Sequence, residues 1–167
     1  MSADLSTRYL GLPLRGPLAA AASPLTGELD SLRRLEDAGA SAVTLPSLFE
    51  EQIEHEEMEL HRLQEFGAES YGEARDYFPE LESSDAGPDR YLRLIEAAKG
   101  ALAIPVFASL NGHTAGGWVR YAKLFEEAGA DAVELNVYEV PTDPEADADA
   151  VERAVVHLVG AVRREVR

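Results

Sequence analysis

The stretch LEDAGASAVTL at residues 35–45 recurs later in the chain as FEEAGADAVEL at residues 125–135. Each copy has the pattern of a last helical turn, a glycine at the position that ends helices, and the start of a buried strand. Two such helix-to-strand joints predict repeated units in which helices connect parallel strands. The expected fold class is therefore α/β.

Apolar runs bounded by turn residues extend this pattern to four strands, at residues 17–23, 42–45, 104–110 and 131–138. Helical spacing of apolar residues, with Pro, Thr and Gly at the ends, predicts helical segments over residues 28–38, 47–66, 88–100, 114–128 and 150–166. Residues 71–87 are polar and predict a loop. The turn Gly11-Leu12-Pro13 predicts a short hairpin over residues 5–16.

The expected organisation is a single domain over residues 1–167. It begins with the hairpin 5–16 and continues with βα units at 17–41, 42–103, 104–130 and 131–167. Right-handed crossovers would place the four strands side by side, and a fifth strand would be expected next. Four such units correspond to half of an eight-stranded (β/α)8 TIM barrel, so we expect a half-barrel.

The composition excludes several classes of function. A formal net charge of −16 repels phosphate, so neither nucleic acid nor an anionic membrane is an expected partner. The absence of cysteine removes disulfides, thiolate metal sites and a cysteine nucleophile. No run reaches the roughly 18 apolar residues of a membrane span, and the location expected is cytoplasmic.

The end of the fourth predicted strand carries the strongest indication of a functional site. Its residues alternate between two faces: Val133, Leu135 and Val137 suit the helix layer, and the opposite face holds Glu134, Asn136 and Tyr138. A buried parallel strand is normally apolar on both faces, and barrels place ligand-binding groups at carboxyl ends of strands. The third strand ends similarly, with Ser109 and Asn111. The alternative is that these polar groups only bind loop backbone.

Two further patterns are less specific. The turn over residues 112–117 meets a helix start, and it predicts either an anion or carbonyl site or a tight turn capped by Thr114. It lacks the Lys and Ser/Thr of a nucleotide-triphosphate loop. His55 and His61 are six residues apart and would face different sides of a helix, so no metal site is expected.

Taken in order, these segments resemble the dihydroorotate dehydrogenase-like proteins, which are FMN-dependent (β/α)8 barrels. The resemblance covers essentially the whole chain, and its individual motifs are loose. It runs through the hairpin residues 9–12, the strand residues 17–23, PSLFEEQI at 46–53, PVFASLNG at 105–112 and ELNV at 134–137. It implies a flavin oxidoreductase that converts dihydroorotate to orotate in pyrimidine biosynthesis.

The resemblance also suggests site residues. Ala22 and Ser23 stand where the family approaches the flavin, Asn136 matches its strand-four Asn, and Asn111 lies near the expected isoalloxazine. Glu139 stands in place of the family's Ser or Cys base and is the expected catalytic residue, while Leu45 replaces its flavin-contacting Lys. The FMN phosphate is held by later strands in the family, so weak or absent FMN binding is expected.

Two other functions remain open. One is a non-catalytic half-barrel that forms a homo-oligomer or pairs with a complementary half, because open strand edges favour association. The other is an unrelated TIM-barrel protein that binds a phosphate-bearing ligand, since the repeated joint reflects helix–strand packing rather than ancestry. In the enzymatic case, the partner is a small-molecule substrate.

Overall fold

The computed structural model of the chain describes residues 3–55, 58, 62, 88–112, 114–137, 142, 145 and 147–167. A four-stranded parallel sheet carries helices on one face, and a separate two-stranded hairpin packs against the other face. The predicted α/β class is therefore confirmed. The division into a hairpin and four βα units stays a prediction.

The elements follow one another in the alternating order that the repeated joint predicts. In chain order they are β1 (Thr7–Tyr9), β2 (Leu12–Leu14), β3 (Ala19–Ala20), a 3₁₀ turn (Pro24–Thr26), α1 (Leu29–Asp37), β4 (Ala42–Phe49), α2 (Pro88–Ala101), β5 (Val106–Asn111), α3 (Ala115–Glu127), β6 (Ala132–Leu135) and α4 (Ala148–Glu165). Residues 50–55, which directly follow β4, are also helical.

The duplicated sequence forms the same structure twice. Gly39 and Gly129 adopt φ angles of +105° and +94°, which glycine reaches without steric cost. In both copies the glycine N–H donates to the carbonyl three residues back, and the next N–H donates to the carbonyl five residues back, all at 3.0 Å. This is the Schellman arrangement that ends a helix. It directs the chain from α1 into β4, and from α3 into β6, with the same geometry.

The sheet has the order β3-β4-β5-β6, and all of its pairings are parallel. One face packs against the helices and forms the main core, whose largest fully buried side chains include Phe125, Leu32, Leu45, Ile95 and Leu110. As predicted, Val133, Leu135 and Val137 pack on this side. We call the opposite side of the sheet the inner face.

The hairpin β1–β2 covers the inner face near the starts of the strands. Leu14 is buried against Ala42 and Phe107, and the rings of Tyr9 and Phe107 lie 5.9 Å apart. The hairpin is thereby fixed at the amino-terminal end of the sheet. The carboxyl-terminal end of the inner face lies beyond it.

Strand β4 differs from the prediction, which ended it at Pro46. It continues to Phe49, with a shift in register against β5 between Thr44 and Ser47. Proline has no N–H for the ladder, and the strand accommodates it by this irregularity. The residues after Pro46 were assigned to a helix, which the structure begins only at Glu50.

Smaller corrections concern the two ends of the sheet. The first strand, expected over 17–23, is reduced to Ala19–Ala20 because Ser23 already begins the 3₁₀ turn. In α4, Val162 is buried and Val151 and Leu158 are half-buried as expected, but Ala154 and Val155 are exposed. The predicted loop over 71–87, His61 and the end of the last predicted strand lie outside the described residues.

Candidate functional site at the carboxyl ends of the strands

Three polar side chains form a row across the inner face of β4, β5 and β6. Ser47 is in register with Ser109, and Ser109 is in register with Glu134. The Ser109 hydroxyl donates to Glu134 Oε1 at 2.8 Å, and the two serine oxygens lie 2.7 Å apart. Because a serine hydroxyl has one hydrogen, Ser47 must donate to Ser109. The hydroxyls therefore form a directed chain that ends on the carboxylate.

The environment of this row changes along its length. Ser109 is fully buried, Ser47 is half-buried and Glu134 is exposed. The carboxylate has no ion-pair partner among the described residues, so its second oxygen remains open to a ligand. A buried hydroxyl held between a donor and a charged acceptor has a fixed orientation, because charge-assisted hydrogen bonds are the stronger ones.

Two carboxamides lie one position further toward the ends of the strands. Asn111 is the last residue of β5, and alternation places it on the face of Ser109. The Asn136 N–H donates to the Leu110 carbonyl at 2.8 Å, which continues the ladder beyond β6 and keeps Asn136 on the face of Glu134. Both residues are half-buried, and neither carboxamide has a hydrogen-bond partner within the described part of the chain. They can therefore bind a ligand's donors and acceptors.

A buried carboxylate lies at the start of α3, on the residue that directly follows β4. Glu50 is 4% exposed, and its oxygens accept from the Thr114 N–H at 3.0 Å and the Thr114 hydroxyl at 2.6 Å. Thr114 also caps the helix by accepting from the Gly117 N–H. Negative charge is favourable at a helix N-terminus, so Glu50 stabilises the end of α3 that faces the carboxyl edge.

This arrangement decides between the two interpretations of the turn over residues 112–117. A Cβ on Gly117 would overlap the Glu50 carboxylate, and a Cβ on Gly112 would lie 2.9 Å from the Trp118 ring. Both glycines are thus explained by close packing. Thr114 is the cap, as one interpretation predicted, and the anion position at this helix start is filled by the protein's own carboxylate.

Tyr91 supports the row from the helix side of the sheet. Its hydroxyl accepts from the Ser109 N–H at 2.9 Å and donates to the Ser109 carbonyl at 3.2 Å. It thereby binds the backbone of β5 where β4 changes register. Burial raises the pKa of the Tyr91 phenol far above its usual value; the Ser109 backbone bond opposes this, and the charge of Glu134 adds to it. The phenol therefore stays neutral at physiological pH.

The other residues that the resemblance singled out lie at the same edge or outside the described part of the chain. Ala22 and Ser23 follow β3 and are half-buried, and the Ser23 backbone forms both hydrogen bonds with the Thr26 hydroxyl at 2.9–3.1 Å. Ser23 and the two asparagines thus all follow carboxyl ends of strands. Glu139 lies outside the described residues, and its catalytic role stays a prediction.

Sequence reasoning missed Ser47, Glu50 and the hydroxyl of Tyr91. Ser47 was assigned to a helix because Pro46 was expected to end β4, and Glu50 was correctly placed in that helix but without its partner Thr114. Tyr91 was recognised only as part of the buried face of its helix. A glycine pair in the first turn of α3, where glycine lowers helix propensity, was the one available indication that another group approaches there.

No protein-family model matches the chain, and no curated protein matches it. Within the described residues, no three His, Cys, Asp or Glu side chains are arranged to hold a metal ion. No described helix combines the length and the apolar character needed to cross a membrane.

Proposed function

We propose that the carboxyl edge of this sheet binds the ring system of a flavin, as part of a dihydroorotate dehydrogenase-type oxidoreductase with a (β/α)8 half-barrel fold. The observation that carries the proposal is the set of partner-free carboxamides, Asn111 and Asn136, directly beyond the Ser109–Glu134 pair. Ligands of parallel α/β folds bind at the carboxyl ends of strands. The resemblance of residues 105–112 and 134–137 to that family supports the choice of ligand.

The donor set suits a flavin ring better than a whole FMN molecule. The pyrimidine edge of isoalloxazine offers one N–H and two carbonyl oxygens, which match a carboxylate and carboxamide N–H groups. The described residues that follow β4, β5 and β6 at this edge, 50–55, 112, 114–118 and 136–137, contain no Arg or Lys. Glu50 also fills the start of α3. Glu134, Asn111 and Asn136 therefore fit the ring, and the described residues at this edge provide no phosphate site.

When bound, a flavin would supply the acceptor for a hydride from the substrate. The chain's own contribution would be proton transfer. Ser47 and Ser109 form a hydrogen-bonded path to Glu134 Oε1, so a proton released at Ser47 can be delivered to that carboxylate. Glu134 thus becomes a second candidate for the general base, beside Glu139. Glu134 lines the cavity on the inner side of the sheet, where a substrate would lie.

An equilibrium titration with riboflavin and FMN tests the binding step. We expect saturable quenching of flavin fluorescence with a Kd of roughly 10 µM, which corresponds to about −7 kcal/mol. Riboflavin and FMN should bind within about threefold of each other, because the described edge offers the phosphate no cation. Asn136→Ala should weaken both by about tenfold, the loss of one good hydrogen bond.

The matched control is Gln52→Ala, which removes an exposed carboxamide from the helical residues after β4. It should leave flavin binding unchanged. A chain that folds normally but binds neither flavin up to millimolar concentration would refute the proposal. Equal weakening by Asn136→Ala and Gln52→Ala would also contradict it.

A second candidate, self-association of half-barrels, is favoured by exposed apolar side chains at both edges of the sheet. Leu18 and Leu25, beside β3, are 72% and 65% exposed. On α4, which follows β6, Val156 and Val159 are 71% and 46% exposed. A second copy could cover both groups at once, since each copy would present its β3 side to the other's α4 side.

Sedimentation velocity tests this candidate over the micromolar range. We expect a dimer whose dissociation constant rises about tenfold or more in Val156→Glu, because a charge would enter an apolar contact. Leu5→Glu, at a residue that is 62% exposed outside the sheet, is the matched control and should not change association. A wild-type chain that stays monomeric throughout would contradict self-association and leave the flavin proposal untouched.

A further inference from the structure

A cavity of about 460 Å³ lies between the hairpin and the inner face of the sheet. It reaches from the hairpin residues Tyr9 and Leu14 to Glu134 on β6. The volume falls within the range of small-molecule sites. Five of the residues that line it from the sheet side are small, where a packed barrel interior would carry larger ones, namely Ala19, Ala20, Ala21, Thr44 and Ala132.

The walls of this cavity have a distinct chemistry. The tilted rings of Tyr9 and Phe107 form an aromatic wall, with their centroids 5.9 Å apart. Glu134 contributes a carboxylate that receives one hydrogen bond, from Ser109, and no cation from the described residues. Arg8 also lines the cavity, but its guanidinium donates to the Gly11 carbonyl at 3.0 Å in its own hairpin. The cavity therefore combines apolar walls with a carboxylate that forms no ion pair with the described residues, and with one cation, Arg8, that is bonded within its own hairpin.

We propose that this cavity binds a small primary amine with an aromatic or branched apolar body. The ammonium group would pair with the second oxygen of Glu134. The apolar body would pack against the aromatic wall. The electron-rich faces of those rings would also attract the positive charge of the ammonium group. The proposal rests on the cavity and does not require a flavin.

The test uses three ligands of nearly the same shape and different charge. The probes are 2-phenylethylammonium, neutral 2-phenylethanol and anionic phenylacetate, each titrated into the ¹⁵N-labelled full chain without flavin. We expect saturable shifts of the Phe107 and Ala132 amides with a Kd of about 1 mM or below for the amine. The alcohol should bind about tenfold more weakly, because it lacks the charge-assisted bond, and the anion should bind more weakly than the amine, because Glu134 repels it.

Two kinds of variant test separately the charge of Glu134 and the free volume of the cavity. Glu134→Gln should weaken the amine by about tenfold and leave the alcohol unchanged, whereas Glu152→Gln on the exposed side of α4 should change neither. Ala132→Leu should abolish binding of both by filling the cavity. Ala21→Leu, at an exposed residue outside the strands, repeats that test if the strand variant fails to fold.

Three results would overturn the proposal. They are equal binding of all three ligands, binding that survives in both leucine variants, and the absence of amine binding in a folded wild-type chain. Failure of the flavin titration would not affect this outcome, because no flavin is present. Conversely, an amine that fails to bind leaves the asparagine-dependent flavin prediction standing.

Discussion

Replacing Gly117 with alanine should destabilise the protein by roughly 3 kcal/mol, although alanine favours helices. The added Cβ would overlap the Glu50 carboxylate, which is buried and bonded to Thr114 at 3.0 and 2.6 Å. The side chain must shift to make room, and the shift would disturb its hydrogen bonds to Thr114 in a buried place. Urea unfolding followed through Trp118, the only tryptophan, measures the change beside the site of substitution.

The neighbouring glycine is the matched control. Nothing lies within 4 Å of a Cβ added to Gly116, and both residues belong to the first turn of α3. Gly116→Ala should therefore stabilise the protein by about 0.5–1 kcal/mol. Stability changes of opposite sign at these adjacent positions would separate the effect of the Glu50 contact from the effect of helix propensity.

A double-mutant cycle tests whether the Glu50 carboxylate is the reason that position 117 requires glycine. In a Glu50→Ala background the overlap is removed, so Gly117→Ala should become as favourable as Gly116→Ala, and the coupling should be about 4 kcal/mol. If Gly117→Ala costs the same in both backgrounds, the carboxylate is not what requires glycine. If it stabilises the wild-type chain, the described packing of Glu50 is wrong.

The sequence predicted those parts of the fold that depend on local chemistry. The joints at Gly39 and Gly129 share one sequence pattern and form the same hydrogen bonds, since both depend on a left-handed glycine after a helix. The hairpin around Gly11 and the Thr114 cap follow from similarly local rules. Burial of Val133 and Leu135 on one face of β6 follows from strand alternation.

What could not be predicted depends on partners distant in the chain. Pro46 would normally end a strand, and β4 continues past it because it pairs with β5 again from Ser47 onward. Ser47 and Ser109 are 62 residues apart in the sequence, and Glu50 and Thr114 are 64 residues apart. The members of a local motif lie much closer together. No periodicity in the sequence indicates which distant residues will pair in this way. The candidate site was therefore predicted without Ser47 of β4 and Glu50, which directly follows it.

Tyr91→Phe should destabilise the protein by about 1–3 kcal/mol, which is large for the loss of one oxygen atom. The ring is 8% exposed and keeps its packing against Phe125, so only the hydroxyl is removed. The Ser109 N–H then has no acceptor in a buried part of the sheet, and an unsatisfied buried donor retains its desolvation cost. Tyr9→Phe, at a ring that is 55% exposed, should change stability by less than about 0.5 kcal/mol.

The pH dependence gives the same substitution a second, independent signature. Burial raises the pKa of Tyr91 in the folded state above that of an unfolded tyrosine, about 10, so the folded state holds its proton more tightly. The stability that Tyr91 contributes is therefore complete below about pH 10 and is lost as the pH rises further, because only the unfolded chain then releases the proton. Tyr91→Phe should make the fall in stability above pH 10 shallower than in the wild-type chain. Parallel alkaline profiles for the wild-type chain and Tyr91→Phe would mean that the phenol is not held between the N–H and the carbonyl of Ser109.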